Sequence, residues 1–162
     1  MKPIDTIHPG QGEEIPETEK KVSSRTMARR AALQALYQWQ LNADEPMVIS
    51  RQFSQDGFLI DVDVALFNEL LTQVAQQAVA LDEIYGAMLD RSVAMIDPIE
   101  KAIMRMGVYE LQAKPEIPYK VIINECVELA KRFGAEDSHK YINGILDKVA
   151  QQIRSLEVGA TS

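Results

Sequence analysis

The chain has 162 residues, 46% of them hydrophobic, one cysteine and a formal net charge of -7. That length holds one domain or two small subdomains, and the apolar share is enough to bury a sizeable interior. A lone thiol excludes an internal disulfide, and the acidic balance argues against indiscriminate nucleic-acid binding but not against a local contact.

The first 22 residues are rich in Glu, Pro and Gly and lack a periodic apolar face, so a flexible leader is expected there. No basic n-region precedes an apolar stretch, and no apolar run is long enough to span a bilayer. A cytoplasmic protein without membrane attachment is the expectation. Charge is unevenly placed. Lys20, Lys21, Arg25, Arg29 and Arg30 lie together with no acidic residue among them, whereas Leu41 to Asp90 carries nine acidic residues and only Arg51 as a cation.

A first helix is expected from Ser24 to about Leu41, with Ala32, Leu33, Leu36, Tyr37 and Leu41 at helical spacing. Arg25 and Arg29, four residues apart, would project from one side of it. Such a cluster either binds phosphate or is an ordinary solvated face. Asn42 to Ile60, with Pro46 and Gly57, reads as a loop carrying a short helix. Val64, Phe67, Leu71, Val74, Ala78 and Leu81 form an apolar stripe that predicts a helix over 62–80, and Asp61 suits its cap. A short helix with Leu81, Ile84, Tyr85, Met88 and Leu89 inward follows.

Asp97-Pro98-Ile99-Glu100 is a helix-start signal: a capping carboxylate, a proline at the first position and an acid that can reach back to the cap. The helix should run to Leu111, with Ile99, Ala102, Ile103, Met106 and part of Tyr109 packed. After Pro115 and Pro118 a helix resumes near Tyr119, with Ile122, Cys126, Leu129, Ala130 and Phe133 inward and Gly134 suited to a left-handed stop. Cys126 in that stripe reads as a buried structural thiol. Asp137 and Ser138 can cap a last helix that packs Ile142, Ile145, Leu146, Val149 and Ile153. Gly144 within it calls for close approach by another helix. The pattern is all-α.

No HExxH, CxxC, phosphate-binding glycine loop or dinucleotide fingerprint is present, and His8 and His139 are far apart in the sequence. No catalytic residue, metal or cofactor is expected. The turn Gly134-Ala135-Glu136-Asp137-Ser138-His139-Lys140 could meet unstacked base edges and phosphate, with Tyr141 stacking on a base. Alternatively, Asp137 and Ser138 are caps and Tyr141 closes a helix interface.

Three segments then carry a resemblance: ARRAALQALYQWQL, IEKAIMRMGVYEL and IPYKVIINECVELAKRFGAEDSHKYINGILDKV. From about Ser24 to Ile153 the chain resembles the NusB family of bacterial transcription antitermination factors. The resemblance implies two small packed helical bundles of about six to seven helices. They would form a body over 23–155, between the leader at 1–22 and a short C-terminal tail at 156–162. It further implies a non-catalytic adapter that binds boxA RNA with ribosomal protein S10, also called NusE. With other antitermination factors this assembly acts on the transcribing RNA polymerase and supports ribosomal RNA synthesis.

Carried over by position, Arg25 and Arg29 would contact RNA phosphate, with Arg30 nearby. Thr26 and Met27 stand where some relatives are more uniformly arginine-rich, which could shift the contact path towards Lys20 and Lys21. Glu100, Asp137 and Tyr141 match positions near the family's RNA surface, with Tyr119 and Lys120 supporting it. Two other readings stay open. One is a protein-only scaffold or homodimer. The other is an RNA-modifying enzyme, since this helical fold can be joined to a methyltransferase domain; here neither spare length nor a cofactor motif supports one.

Overall fold

The computed structural model of the chain describes residues 22–161. Among them are eight α-helices: α1 Ser24–Asn42, α2 Pro46–Gln55, α3 Val64–Gln76, α4 Ala78–Gly86, α5 Pro98–Ala113, α6 Tyr119–Phe133, α7 Ser138–Ile153 and α8 Ser155–Thr161. A single 3-10 turn, Val93–Met95, lies between α4 and α5. The leader, with Lys20, Lys21 and His8, lies outside the described residues. The helices fall into two compact units that divide after Gln76.

In the first unit α1 packs on α2 and α3. Ser23 opens α1 by accepting a hydrogen bond from the Thr26 amide at 3.0 Å. The inward face of α1 is mostly small (Ala28, Ala31, Ala32 and Ala35 beside Leu33 and Leu36), and every one of these residues is buried. Alanines there let neighbouring helices approach closely. Opposite them lie Ile49 and Phe53 of α2 and Leu66, Phe67, Leu70, Leu71 and Val74 of α3. Phe53 stacks on Phe67 and meets Phe58 edge-on, both at 5.7 Å between ring centroids. Burying a ring such as that of Phe67 contributes roughly 2–3 kcal/mol. Leu41, by contrast, is exposed near the end of α1.

The helix expected over 62–80 breaks at Gln77 into α3 and α4. Its cap is Asp63, whose carboxylate accepts from the Leu66 amide at 3.0 Å. Asp61, the expected cap, instead takes a left-handed conformation with φ 62°.

In the second unit α5 packs against α4, α6 and α7, and α6 against α7. The start signal of α5 is met: Asp97 accepts from the Ile99 amide at 2.8 Å and Pro98 begins the helix. Ile99, Ala102, Ile103 and Met106 face inward with Ile122, Cys126, Leu129, Phe133, Ile142, Leu146 and Val149. The close helix approach occurs at Gly107, where a Cβ would stand 2.9 Å from Leu146 and 3.0 Å from the Cys126 sulfur. Gly144, where that approach was expected, has nothing within 4 Å of a built Cβ.

Two polar devices hold this unit. Arg105 of α5 grips Asp82 of α4 through two 2.8 Å hydrogen bonds, and the Tyr85 hydroxyl donates to the same carboxylate at 2.6 Å. Burial alone would raise the pKa of Asp82, but the Arg105 fork and the Tyr85 hydroxyl outweigh it and hold the carboxyl below its ordinary value. At the other end, Arg154 lies buried and donates to the carbonyls of Leu111, Lys114 and Ile117 at 2.8–3.0 Å. It also pairs with Glu157 of α8 at 2.6 Å. Glu157 in turn accepts from the Tyr119 amide at 2.9 Å, supplying the α6 cap that Pro118 has no side chain to make. As far as Thr161, the segment expected as a tail is therefore helical, and Glu157 ties it to Arg154 and Tyr119.

Candidate nucleic-acid interface

The expected contact residues divide between the two units: Arg25, Arg29 and Arg30 in the first, Glu100, Lys120, Asp137 and Tyr141 in the second.

On α1, Arg25 keeps 46% of its side chain exposed and stands 3.9 Å from the Asp63 carboxylate. An exposed pair at that distance contributes little and leaves the guanidinium available to a stronger anion. Arg30 is half-buried, with Nη1 3.7 Å from the Met27 sulfur. Arg29 is only 4% exposed. The open face expected for Arg25 and Arg29 together is not formed. Arg29 stands one turn before Leu33 and two before Leu36, so helical geometry carries it onto the inward stripe.

At the start of α7 the chain makes a different arrangement. Gly134 ends α6 in an extended conformation (ψ 178°), and the left-handed residue is Asp137, with φ 69°. What Gly134 provides is room: a Cβ there would lie 2.5 Å from the Ser138 hydroxyl and 2.8 Å from the Ala130 carbonyl. Ser138 is thereby buried, with its hydroxyl making no hydrogen bond. Asp137 stands at the cap position of α7, but its side chain makes no cap bond. The exposed carboxylate meets Lys140 at 3.4 Å instead.

One turn further on, Tyr141 is half-buried, and the side chain that acts on its hydroxyl is the Asp90 carboxylate. Over its ring, 4.8 Å from the centroid, lies the guanidinium of Arg91, from the loop between α4 and α5. Arg91 also touches the neighbouring Asp90 carboxylate at 3.0 Å. Burial raises the pKa of the Tyr141 phenol; the Arg91 charge opposes that, and the Asp90 and Glu100 carboxylates reinforce it. Glu100 belongs to the same neighbourhood. Its carboxyl is pushed up by burial and by Asp97, against the pull of Arg91 and of the Asp97 amide. Glu100 and Tyr141 are thus joined electrostatically through an arginine that sequence reasoning did not single out. Arg91 carries no motif, and only the fold brings it to Tyr141.

Lys120 does not join this group. It lies at the far end of the α6–α7 hairpin, lining a groove of about 220 Å³ with Asn124, Asn143 and Asp147. Its ammonium stands 6.0 Å from the Tyr119 ring centroid. Among the described residues no three His, Cys, Asp or Glu side chains are grouped to hold a metal ion, and no helix is long and apolar enough to cross a membrane.

A family model described as the NusB family matches residues 26–151. The transcription antitermination protein NusB of Hydrogenovibrio crunogenus is 67% identical over 154 residues, covering 95% of this chain and 96% of that protein. The protein of the same description from Pasteurella multocida is 52% identical over 132 residues, covering 82% and 92%. Among solved structures, T. maritima NusB superposes with a TM-score of 0.69 at 26% identity, covering 82% of this chain and 93% of that one.

These likenesses define the class, a helical and non-catalytic RNA-binding adapter. The chain belongs to the NusB family, whose members serve transcription antitermination in association with an RNA and protein complex.

Proposed function

We propose that this chain binds boxA-containing single-stranded RNA together with ribosomal protein S10 (NusE). The assembly then acts with other antitermination factors on the transcribing RNA polymerase and promotes ribosomal RNA synthesis. The observation that carries the RNA reading is Asp137. Its carboxylate is exposed and makes no cap bond, which leaves it able to accept from base edges. Arg25 supplies a phosphate contact on the other unit, Arg30 flanks it, and Arg29 supports α1 from its buried position. Tyr141 and Glu100 complete the contacts near Asp137. Lys120 makes a separate contact at the far end of the hairpin.

The test is binding of boxA RNA and a scrambled strand, with and without S10. Tighter binding to boxA, strengthened by S10, is expected; equal weak binding to both strands in either condition would defeat the proposal. Arg25→Ala should weaken binding to all strands and lower the salt slope by about 1. Partner binding that survives RNA removal, with no selective footprint, would favour a protein-only scaffold instead.

A further inference from the structure

The Arg91–Tyr141 pair is built unlike a structural contact. Arg91 keeps 51% of its side chain exposed and its ion-pair partner, Asp90, keeps 75%. A pair so open to water holds the arginine weakly. Yet the guanidinium lies over an aromatic face, and the ring beneath it is itself only half-buried, its phenol interacting with the Asp90 carboxylate. Arg91 is also more exposed than the ring it covers. A nucleotide approaching Tyr141 therefore reaches the arginine first.

We propose that Arg91 is an RNA-contacting residue, stacking its guanidinium plane against one unpaired base over Tyr141. The inference rests on the RNA reading above and names a contact that it lacks. A planar, permanently charged fork suits this position because it stacks on both an aromatic ring and a base while its edge N–H groups remain free for phosphate. A lysine has the charge but no plane. Asp90, which pairs with the guanidinium at 3.0 Å, orients it, and the Asp90 and Glu100 charges together disfavour a second phosphate close by.

The experiment is a binding titration of the full chain with S10 on boxA RNA, using wild type, Arg91→Ala and Arg91→Lys. The three proteins are also measured on boxA strands in which single bases are removed in turn. Arg91→Ala should lose about tenfold in affinity, the scale of one base stack. Arg91→Lys should regain the salt slope but not the affinity. At one RNA position, removal of the base should abolish the difference between wild type and Arg91→Ala. That cancellation separates a base contact from a structural role, which no single base would report. Selective binding by wild type with unchanged affinity in Arg91→Ala overturns this inference alone. So does a loss that stays the same at every base-free position. Failure of wild type to prefer boxA overturns this inference and the RNA reading together.

Discussion

The second unit contains two groups of the same three residue types, an aspartate, an arginine and a tyrosine, built to opposite ends. In Asp82–Arg105–Tyr85 the arginine and aspartate side chains keep only 11% and 18% of their exposure, and the carboxylate takes two 2.8 Å bonds from the guanidinium and a third from the phenol. In Asp90–Arg91–Tyr141 the ion pair faces water through a single 3.0 Å contact, its two side chains 51% and 75% exposed. The first group spends its hydrogen-bonding capacity on its own members and joins α4 to α5. The second leaves capacity unspent, which is what a ligand requires. The difference lies in enclosure and in the number of bonds made, since the residue types are identical.

That contrast can be broken most forcefully at Arg105. Arg105→Ala strands a largely enclosed carboxylate and should cost about 3 kcal/mol of unfolding free energy in a denaturant titration. A loss no greater than that of an exposed substitution would remove the distinction between the groups. Acid sharpens it next. Because the Asp82 carboxyl is held below its ordinary value of 3.8, the stability it contributes is complete above that pH. It is lost as pH falls through the lower folded-state value. Arg105→Ala should flatten that acid-side loss of stability, and an unchanged acid limb would show that other carboxylates dominate it. The smallest effect is expected at Arg91. Arg91→Ala should shift stability by less than about 0.5 kcal/mol while RNA binding falls. A large drop in melting temperature would make Arg91 a structural residue like its counterpart.

Much of the fold was legible because α1, α5, α6 and α7 each repeat an apolar face over several turns, and because Asp97-Pro98 marks a helix start by local chemistry alone. The break at Gln77 was not, since one apolar stripe runs from Val64 to Leu81 with no glycine or proline to interrupt it. The extended backbone of Gly134 and the open space at Gly144 are hidden from the sequence for a related reason. Glycine permits several local solutions, and the neighbours brought by the fold decide which is used. The site was legible in part. Asp137 and Tyr141 stand out in the polar turn as candidates, whereas the charge of Arg29 conceals its buried place on the inward stripe. Arg91 was invisible, being fifty positions from the ring it covers.

The Arg154–Glu157 clasp makes the last turns of the chain responsible for a bend far upstream. A nonsense mutation just after Ile153 would spare every residue of α1 to α7. It would nevertheless strip partners from the carbonyls of Leu111, Lys114 and Ile117 and from the amide of Tyr119, 38 positions before Glu157. Lys120, the residue next to that amide, would then stand in a first helical turn that has lost its cap, so a lesion after α7 would be felt at the start of α6.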